Sequence, residues 1–171
     1  MVFVSTSEMN HFQQLEPLTE LTEKKLENLR KFISNLENTC IAYSGGVDSS
    51  LVAAIAHEQL GAFSVAITGV SPALSPYLLD QARTQAQWIG IEHKECKTYE
   101  LQKPEYNQNP KDRCFTCKQE LHLHLQAIAK EAGGAIVIDG VNYDDLNDYR
   151  PGIQAARLAK VISPLAEIKI Q

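Results

Sequence analysis

Hydrophobic positions change their period along the chain, and the changes mark out alternating helices and strands. From about Leu18 to Leu36, Leu26, Leu29, Ile33 and Leu36 recur at helical spacing among Glu, Lys and Asn, the pattern of an amphipathic helix docked by one face. Thr39 to Tyr43 is a short apolar run, broken by Ser44-Gly45-Gly46 and followed by Ser49 to Leu60, which is apolar nearly all round. This predicts a buried strand, a tight turn and a buried helix. Gly61 is placed to cap that helix. Phe63 to Val70 alternates and is rich in β-formers, Ser71 to Ser75 forms a loop, and Pro76 takes a first helical position ahead of the face Leu79, Ala82, Ala86 and Ile89. Ile91 to Thr98 predicts a third strand. The polar stretch Gln102 to Lys111, with two prolines and no period, reads as an exposed loop. Phe115, Leu121, Leu125 and Ile128 mark a helix ending at Gly133-Gly134, and Ala135 to Ile138 is a fourth strand. A last loop, a short helix around Ile153 to Lys160 and Val161-Ile162 follow.

Strands that alternate with helices of this length imply right-handed β-α-β crossovers, hence an α/β fold with a parallel sheet of about five strands and helices on both faces. Ligands in such sheets bind beyond the carboxyl ends of the strands, at the topological switch point, so the loops after strands one, two and four are the ones to search. Residues 1–17 read as a tail and 18–171 as one domain.

Composition narrows the function classes. With 171 residues, 44 % hydrophobic and 22 % charged, the chain falls in the ordinary globular range for one domain. Its net charge of −5, with Lys and Arg scattered, disfavours nucleic acid as a partner. No apolar run approaches the roughly 20 residues that span a bilayer. Met1 to Gln14 has neither a basic stretch nor a long apolar one to mark it for export, so a cytoplasmic location is expected. Cys40, Cys96, Cys114 and Cys117 occur in a chain too large and core-rich to need disulfides.

The strongest chemical signal is Ser44-Gly45-Gly46-Val47-Asp48-Ser49-Ser50, at the turn from the first strand into the buried helix. There the backbone N–H groups and the helix dipole face outward together, which favours a bound phosphate. Gly45 and Gly46 allow close backbone approach and positive φ, the serine hydroxyls can donate to phosphate oxygens, and Asp48 can hold Mg²⁺ on the anion. The loop has no lysine, so it is not a Walker A loop. The plainer alternative is a bare turn in which Asp48 caps the helix.

Ser-Gly-Gly-x-Asp-Ser resembles the pyrophosphate loop of the N-type ATP pyrophosphatases, the PP-loop superfamily, whose fold is adenine-nucleotide-hydrolase-like and Rossmann-like. Two further segments sharpen the resemblance: Arg113-Cys114-Phe115-Thr116-Cys117-Lys118, and Asp139-Gly140-Val141-Asn142-Tyr143-Asp144-Asp145 leading to Asp148-Tyr149-Arg150-Pro151-Gly152. With Ser163-Pro164-Leu165 after them, these resemble the ATP-dependent sacrificial sulfur transferases of the LarE family. The resemblance implies that ATP activates a carboxylate of a pyridinium biscarboxylate mononucleotide before a cysteine sulfur is transferred, in synthesis of the nickel-pincer nucleotide cofactor. It implies that Ser44, Gly45, Gly46, Val47, Asp48, Ser49 and Ser50 hold the ATP phosphates and Mg²⁺, with Asp48 as the metal ligand and Ser71, after strand two, near the adenosine. Members of the family continue into a second region with the donor cysteine in a Cys-Leu-x-Ser-Arg context, and no such segment follows here. The expectation is therefore the pyrophosphatase half, working as a homo-oligomer or with a partner chain that supplies the other region. Another PP-loop synthetase, amide-forming or tRNA-thiolating, and a non-catalytic ATP-binding subunit are the alternatives.

The remaining polar residues stay open between roles. Cys114-x-x-Cys117 with His122 and His124 fits packing or active-site shaping, a zinc site or a redox pair. If the helix starts near Cys114, Cys117 lies on the core stripe with Leu121 and the histidines point elsewhere. Asp139, Asp144, Asp145 and Asp148 read either as a solvated loop with helix caps or as a source of one Mg²⁺ ligand, and Asp145 is the catalytic candidate among them. Arg150 or Arg113 would pair with the α-phosphate or an anionic substrate. His57 and His93 read as structural or exposed, and Trp88 as core.

Overall fold

The computed structural model describes residues 17–98, 113–147 and 151–171, with backbone alone at 113–118, 147, 151–152 and 154. Helix α1 (Glu20–Ser34) begins at Thr19, whose side-chain oxygen accepts the Thr22 N–H, and carries Glu20 and Glu23 in its first turn and Lys31 in its last, matching the helix dipole. Its expected stripe is the face it buries: Leu29 and Ile33 have no exposed surface and Leu26 is half-buried. Burying each such side chain contributes about 1.5–3 kcal/mol. The face packs on helix α2 (Val47–Leu60), and Arg30 of α1 forks onto Glu58 of α2 at 2.7 and 3.2 Å.

Among the described residues four parallel strands, β1 (Thr39–Ala42), β2 (Ser64–Val70), β3 (Glu92–Lys97) and β4 (Ile136–Ile138), lie in the order β3-β2-β1-β4. Alternation along the strands divides the core into two layers. Ile41, Ala66 and Ile138 face α1, α2 and helix α3 (Pro76–Ile89). Cys40, Val65, Ile67 and Val137 face Leu125 and Ala129 of helix α4 (Arg113–Glu131). Helices therefore cover both faces, as the strand-helix alternation predicts. No helix among the described residues is long and apolar enough to cross a membrane.

The expected elements fall within a few residues of their places, Pro76 opens α3 and Gly61 caps α2. The fifth strand is reduced to one bridge, Ile162 against Ile138. Beyond it, helix α5 (Pro151–Leu158) matches the expected short helix. Helix α6 (Pro164–Glu167) and a 3-10 turn at Asp144–Asn147 have no periodic signal in so few residues. The chain after α6 returns to the loop behind β4, where the Tyr143 N–H donates to the Ile170 carbonyl at 2.8 Å. Trp88 departs from expectation, with 58 % of its surface exposed on α3, because Ala82, Ala86 and Ile89 take the buried face. The loop expected at Gln102 to Lys111 lies outside the described residues.

Candidate functional site

β1 is the central pivot of the sheet, with β2 on one side and β4 on the other, so the loops leaving β1 and β4 diverge from the switch point and leave a cleft of about 280 Å³ between them. That is near the lower end of small-molecule sites, about 300–1,000 Å³. Ser44, Gly46, Val47, Asp48 and Ser49 form one wall, and Asp139, Gly140, Val141 and Asp145 the other.

The first wall is shaped by its two glycines in different ways. Gly45 has φ +75°, and a Cβ on it would sit 2.7 Å from the Ala82 Cα, so the turn is both left-handed and pressed against α3. Gly46 has an ordinary φ of −72° and is the N-cap of α2, with no side chain to cover the first helical amides. The helix end is thereby open toward the cleft, the arrangement that receives an anion. The serines close the loop on itself: the Gly46 N–H donates to Ser44 Oγ at 3.3 Å, Ser49 Oγ donates to the Gly46 carbonyl at 3.0 Å, and the Ser44 and Ser49 hydroxyls lie 3.1 Å apart. Ser50 Oγ donates away from the cleft to Gln85 Oε1 at 2.7 Å. Gly45 and Ser50 therefore brace the loop from behind while the other members face the cleft.

The second wall meets the first through backbone contact. A Cβ on Gly140 would lie 2.6 Å from the Ser49 nitrogen and 2.7 Å from its Cα, so only glycine lets the chain leave β4 this close to α2. Asp139 is buried and accepts the Val141 N–H at 3.1 Å. Asn142 and Asp145 exchange bonds: the Asp145 N–H donates to Asn142 Oδ1 at 3.0 Å and the Asn142 N–H donates to Asp145 Oδ2 at 3.2 Å. The Asn142 side-chain amide then donates across the cleft to Asp48 Oδ2 at 3.2 Å. Asp48 and Asp145, predicted from separate motifs, are thus gathered around one asparagine. Asp144 is exposed beside them, and Asp148 and Arg150 lie outside the described residues.

α4 supplies Leu121 and His122 to the cleft. The expectation that His122 points away from the core stripe is overturned: it is 1 % exposed and stacks one turn before the buried Leu125 and two before Ala129. A polar residue at that i, i+3, i+7 spacing was the available signal. Glu120 is also buried, and His124 stands 3.9 Å from the Glu120 carboxylate. Arg113 lies in α4, but its side chain and those of Cys114 and Cys117 lie outside the described side chains. Ser71 does not line the cleft; it forms a turn at the end of β2, where Ser71 Oγ accepts the Ala73 N–H at 3.2 Å and its carbonyl accepts the Leu74 N–H at 3.0 Å. Cys40 and Cys96 are free thiols whose pKa values are raised by burial.

Among the described residues no three His, Cys, Asp or Glu side chains are placed to hold a metal ion together. The oxygen donors Asp48 and Asp145 do fit Mg²⁺, which takes one or two carboxylates and completes its shell with water and substrate phosphate.

Comparison with known proteins agrees with this geometry. Residues 35–103, which include the whole glycine loop, match the asparagine synthase family model. An uncharacterised protein of Synechocystis is 56 % identical over 150 residues, 88 % of this chain and 56 % of its own length. The pyridinium-3,5-bisthiocarboxylic acid mononucleotide synthase of Lactiplantibacillus plantarum is 32 % identical over 136 residues, 79 % of this chain and 49 % of that protein. This chain spans about half the length of the curated relatives it matches. Among solved structures, the NH3-dependent NAD synthetase of Campylobacter jejuni has a TM-score of 0.60 at 19 % identity, covering 72 % of this chain and 58 % of that one. The glutamine-dependent NAD+ synthetase of Acinetobacter baumannii, solved with ADP, has a TM-score of 0.64 at 19 % identity, covering 79 % and 28 %. The fold is that of these PP-loop, Rossmann-like synthetases.

Proposed function

We propose that this chain, whose loop motif, family match and synthase relative support the PP-loop superfamily, is an ATP pyrophosphatase domain over residues 18–171 that adenylates a carboxylate. The observation that carries the reading is the cleft between the open N-terminus of α2 and the carboxylates behind β4. The 32 % identical relative, by its name, makes a pyridinium bisthiocarboxylic acid mononucleotide, which supports a pyridinium biscarboxylate mononucleotide as the acid that is activated, ahead of sulfur transfer in nickel-pincer cofactor synthesis. The setting is a cytoplasmic enzyme acting on a small nucleotide-like carboxylate, as a homo-oligomer or with a chain carrying the sulfur-transfer region.

In this mechanism a carboxylate oxygen of the substrate attacks the α-phosphorus of ATP in line. The bond from that phosphorus to the α–β bridging oxygen breaks, and its electron pair leaves with pyrophosphate. Positioning and charge neutralisation supply most of the rate, and a carboxylate nucleophile needs no general base. The first amides of α2, with Ser44, Gly46, Val47 and Ser49, hold the phosphates, while Gly45 and Ser50 brace the loop that carries them. Asp48, with Asp145 beside it, would hold Mg²⁺, which offsets charge on the phosphates when bound. Arg113 or Arg150 steadies the α-phosphate, and the Ser71 turn, outside the cleft, would meet the adenosine only where it extends beyond the phosphates.

The test is to incubate the chain with Mg-ATP, with and without the pyridinium biscarboxylate mononucleotide, and to measure pyrophosphate and AMP against free phosphate. Pyrophosphate that depends on the pyridinium compound is the expected result. Binding of ATP without pyrophosphate would defeat the enzymatic reading. The asparagine synthase match favours an amide-forming synthetase as the second reading, and pyrophosphate release that requires a different carboxylic acid together with ammonia would select it.

A further inference from the structure

β3 is an unusual edge strand, reading Glu92-His93-Lys94-Glu95-Cys96-Lys97 with no aliphatic residue, and one of its side chains reaches back toward β1. In the β2–β3 register His93 lies opposite Ala66 and Glu95 opposite Thr68, so His93 and Thr68 are diagonal neighbours on one face. The Thr68 hydroxyl donates to the Tyr43 carbonyl at 2.9 Å and lies 2.8 Å from His93 Nε2. A hydroxyl has one hydrogen, and the carbonyl can only accept, so the His93 contact must run from Nε2–H to Thr68 Oγ. The His93 ring also meets the Tyr43 ring edge-on, at 5.6 Å and 74°.

Tyr43 is the residue before Ser44, and it is 2 % exposed. Its N–H still bonds the Ile67 carbonyl at 2.9 Å, but β1 has ended, and its carbonyl is held by a side chain. A buried carbonyl left without its donor is costly, so this hydroxyl fixes the peptide from which the glycine loop departs. The Tyr43 hydroxyl in turn lies 3.4 Å from Ser50 Oγ, whose own hydrogen goes to Gln85. Tyr43 is held at its carbonyl, its ring and its hydroxyl.

We infer that His93 is a positioning residue for the phosphate loop, acting through Thr68 on the Tyr43 carbonyl without touching the ligand. The inference rests on the proposed nucleotide reading of the loop for its effect on turnover, while its structural effect can be read without any ligand. Burial, the largest influence on His93, lowers its pKa and keeps the ring in the neutral form that donates through Nε2.

The experiment compares Thr68→Val with Thr68→Ser, and His93→Phe with His93→Gln. Within each pair the first variant removes the hydroxyl or N–H at similar bulk and the second retains it. Amide hydrogen exchange over residues 43–50 is measured without ligand, alongside KM for ATP and kcat for pyrophosphate release. The expected result is exchange roughly tenfold faster in Thr68→Val and His93→Phe, with Ser and Gln restoring protection. KM should rise by a similar factor with kcat moving less, and the double variant Thr68→Val/His93→Phe should be no worse than Thr68→Val alone. Unchanged exchange, failure of Ser or Gln to restore it, or additive effects in the double variant would overturn the inference. If Thr68→Val does not fold, the His93 pair decides. If the wild-type chain shows no ATP-dependent pyrophosphate, the proposed function falls and the exchange comparison still decides the positioning role.

Discussion

The Asn142 side-chain amide donates to the Asp48 carboxylate at 3.2 Å although the two residues are 94 positions apart, so the glycine loop and the loop behind β4 form one constellation. If Asp48 holds Mg²⁺, Asp48→Ala lowers ATP-dependent pyrophosphate release by on the order of 10²-fold. Its Tm changes little, because Asp48 sits at an open helix end and not in the core. Asn142→Ala should keep measurable activity and raise the Mg²⁺ concentration for half-maximal rate, since it removes the group orienting both Asp48 and Asp145. Magnesium titrations of the two variants check the distinction.

Gly140→Ala places a methyl 2.6 Å from the Ser49 nitrogen, where only backbone can give way. A loss of about 1–3 kcal/mol is expected, as for overpacking elsewhere. The displaced element is the first turn of α2, so ATP affinity should fall together with stability. Chemical denaturation and equilibrium nucleotide binding on the same preparation test this, and a variant with wild-type values for both would remove Gly140 from the site's architecture.

Acid should weaken the fold in two steps. His93 titrates below its ordinary 6.5 because burial disfavours its charge, with Glu95 raising and Arg83 lowering the value. The unfolded chain then binds the extra proton first, so the stability is present above about pH 6.5 and is lost as pH falls from there through the folded value. Glu95 lies below its ordinary 4.5, chiefly through its hydrogen bond from Arg83, and its contribution is lost at more acid pH. Thermal melts of wild type and His93→Gln between about pH 7.5 and 5.5 should show a decline in wild type that is flattened in the variant.

Ile41 is fully buried where β1 meets α2, and Ile41→Ala should cost about 2–5 kcal/mol by the ordinary cavity arithmetic. Trp88, the single tryptophan, should by contrast report solvent: its fluorescence should be quenched readily by acrylamide in the folded chain and should respond weakly to ATP. A strong nucleotide-dependent shift in that emission would place Trp88 in a different environment from the exposed face of α3.

Long-period features were legible from sequence because each rests on many residues. The α1 stripe, the alternating strands and the helices with their glycine ends all follow from burial and capping. The glycine loop was legible because few residue types satisfy an open helix end. Features that depend on one contact between distant segments were not. Nothing local in Asp139-Gly140 says that α2 will pass within a Cβ's reach, and nothing in Glu92-His93-Lys94 says that the histidine will turn inward to Thr68. His122 is buried for a simpler reason: it shares a helical face with Leu125 and Ala129, next to the stripe through Leu121 and Ile128, and its end of that face lines the cleft. Trp88 was read as core by its type, whereas small alanines hold α3 against the sheet.

The strand order β3-β2-β1-β4 also sets a schedule for a nascent chain. β1, β2 and β3 follow one another off the ribosome and can pair as they emerge. β4 must then return across β1 to the vacant edge. At about 5–20 residues per second, Asp48 leaves the ribosome roughly 5–20 seconds before Asn142. For that interval the glycine loop has no opposite side, so the half-made protein carries the open end of α2 without the residues that form the second wall of the cleft.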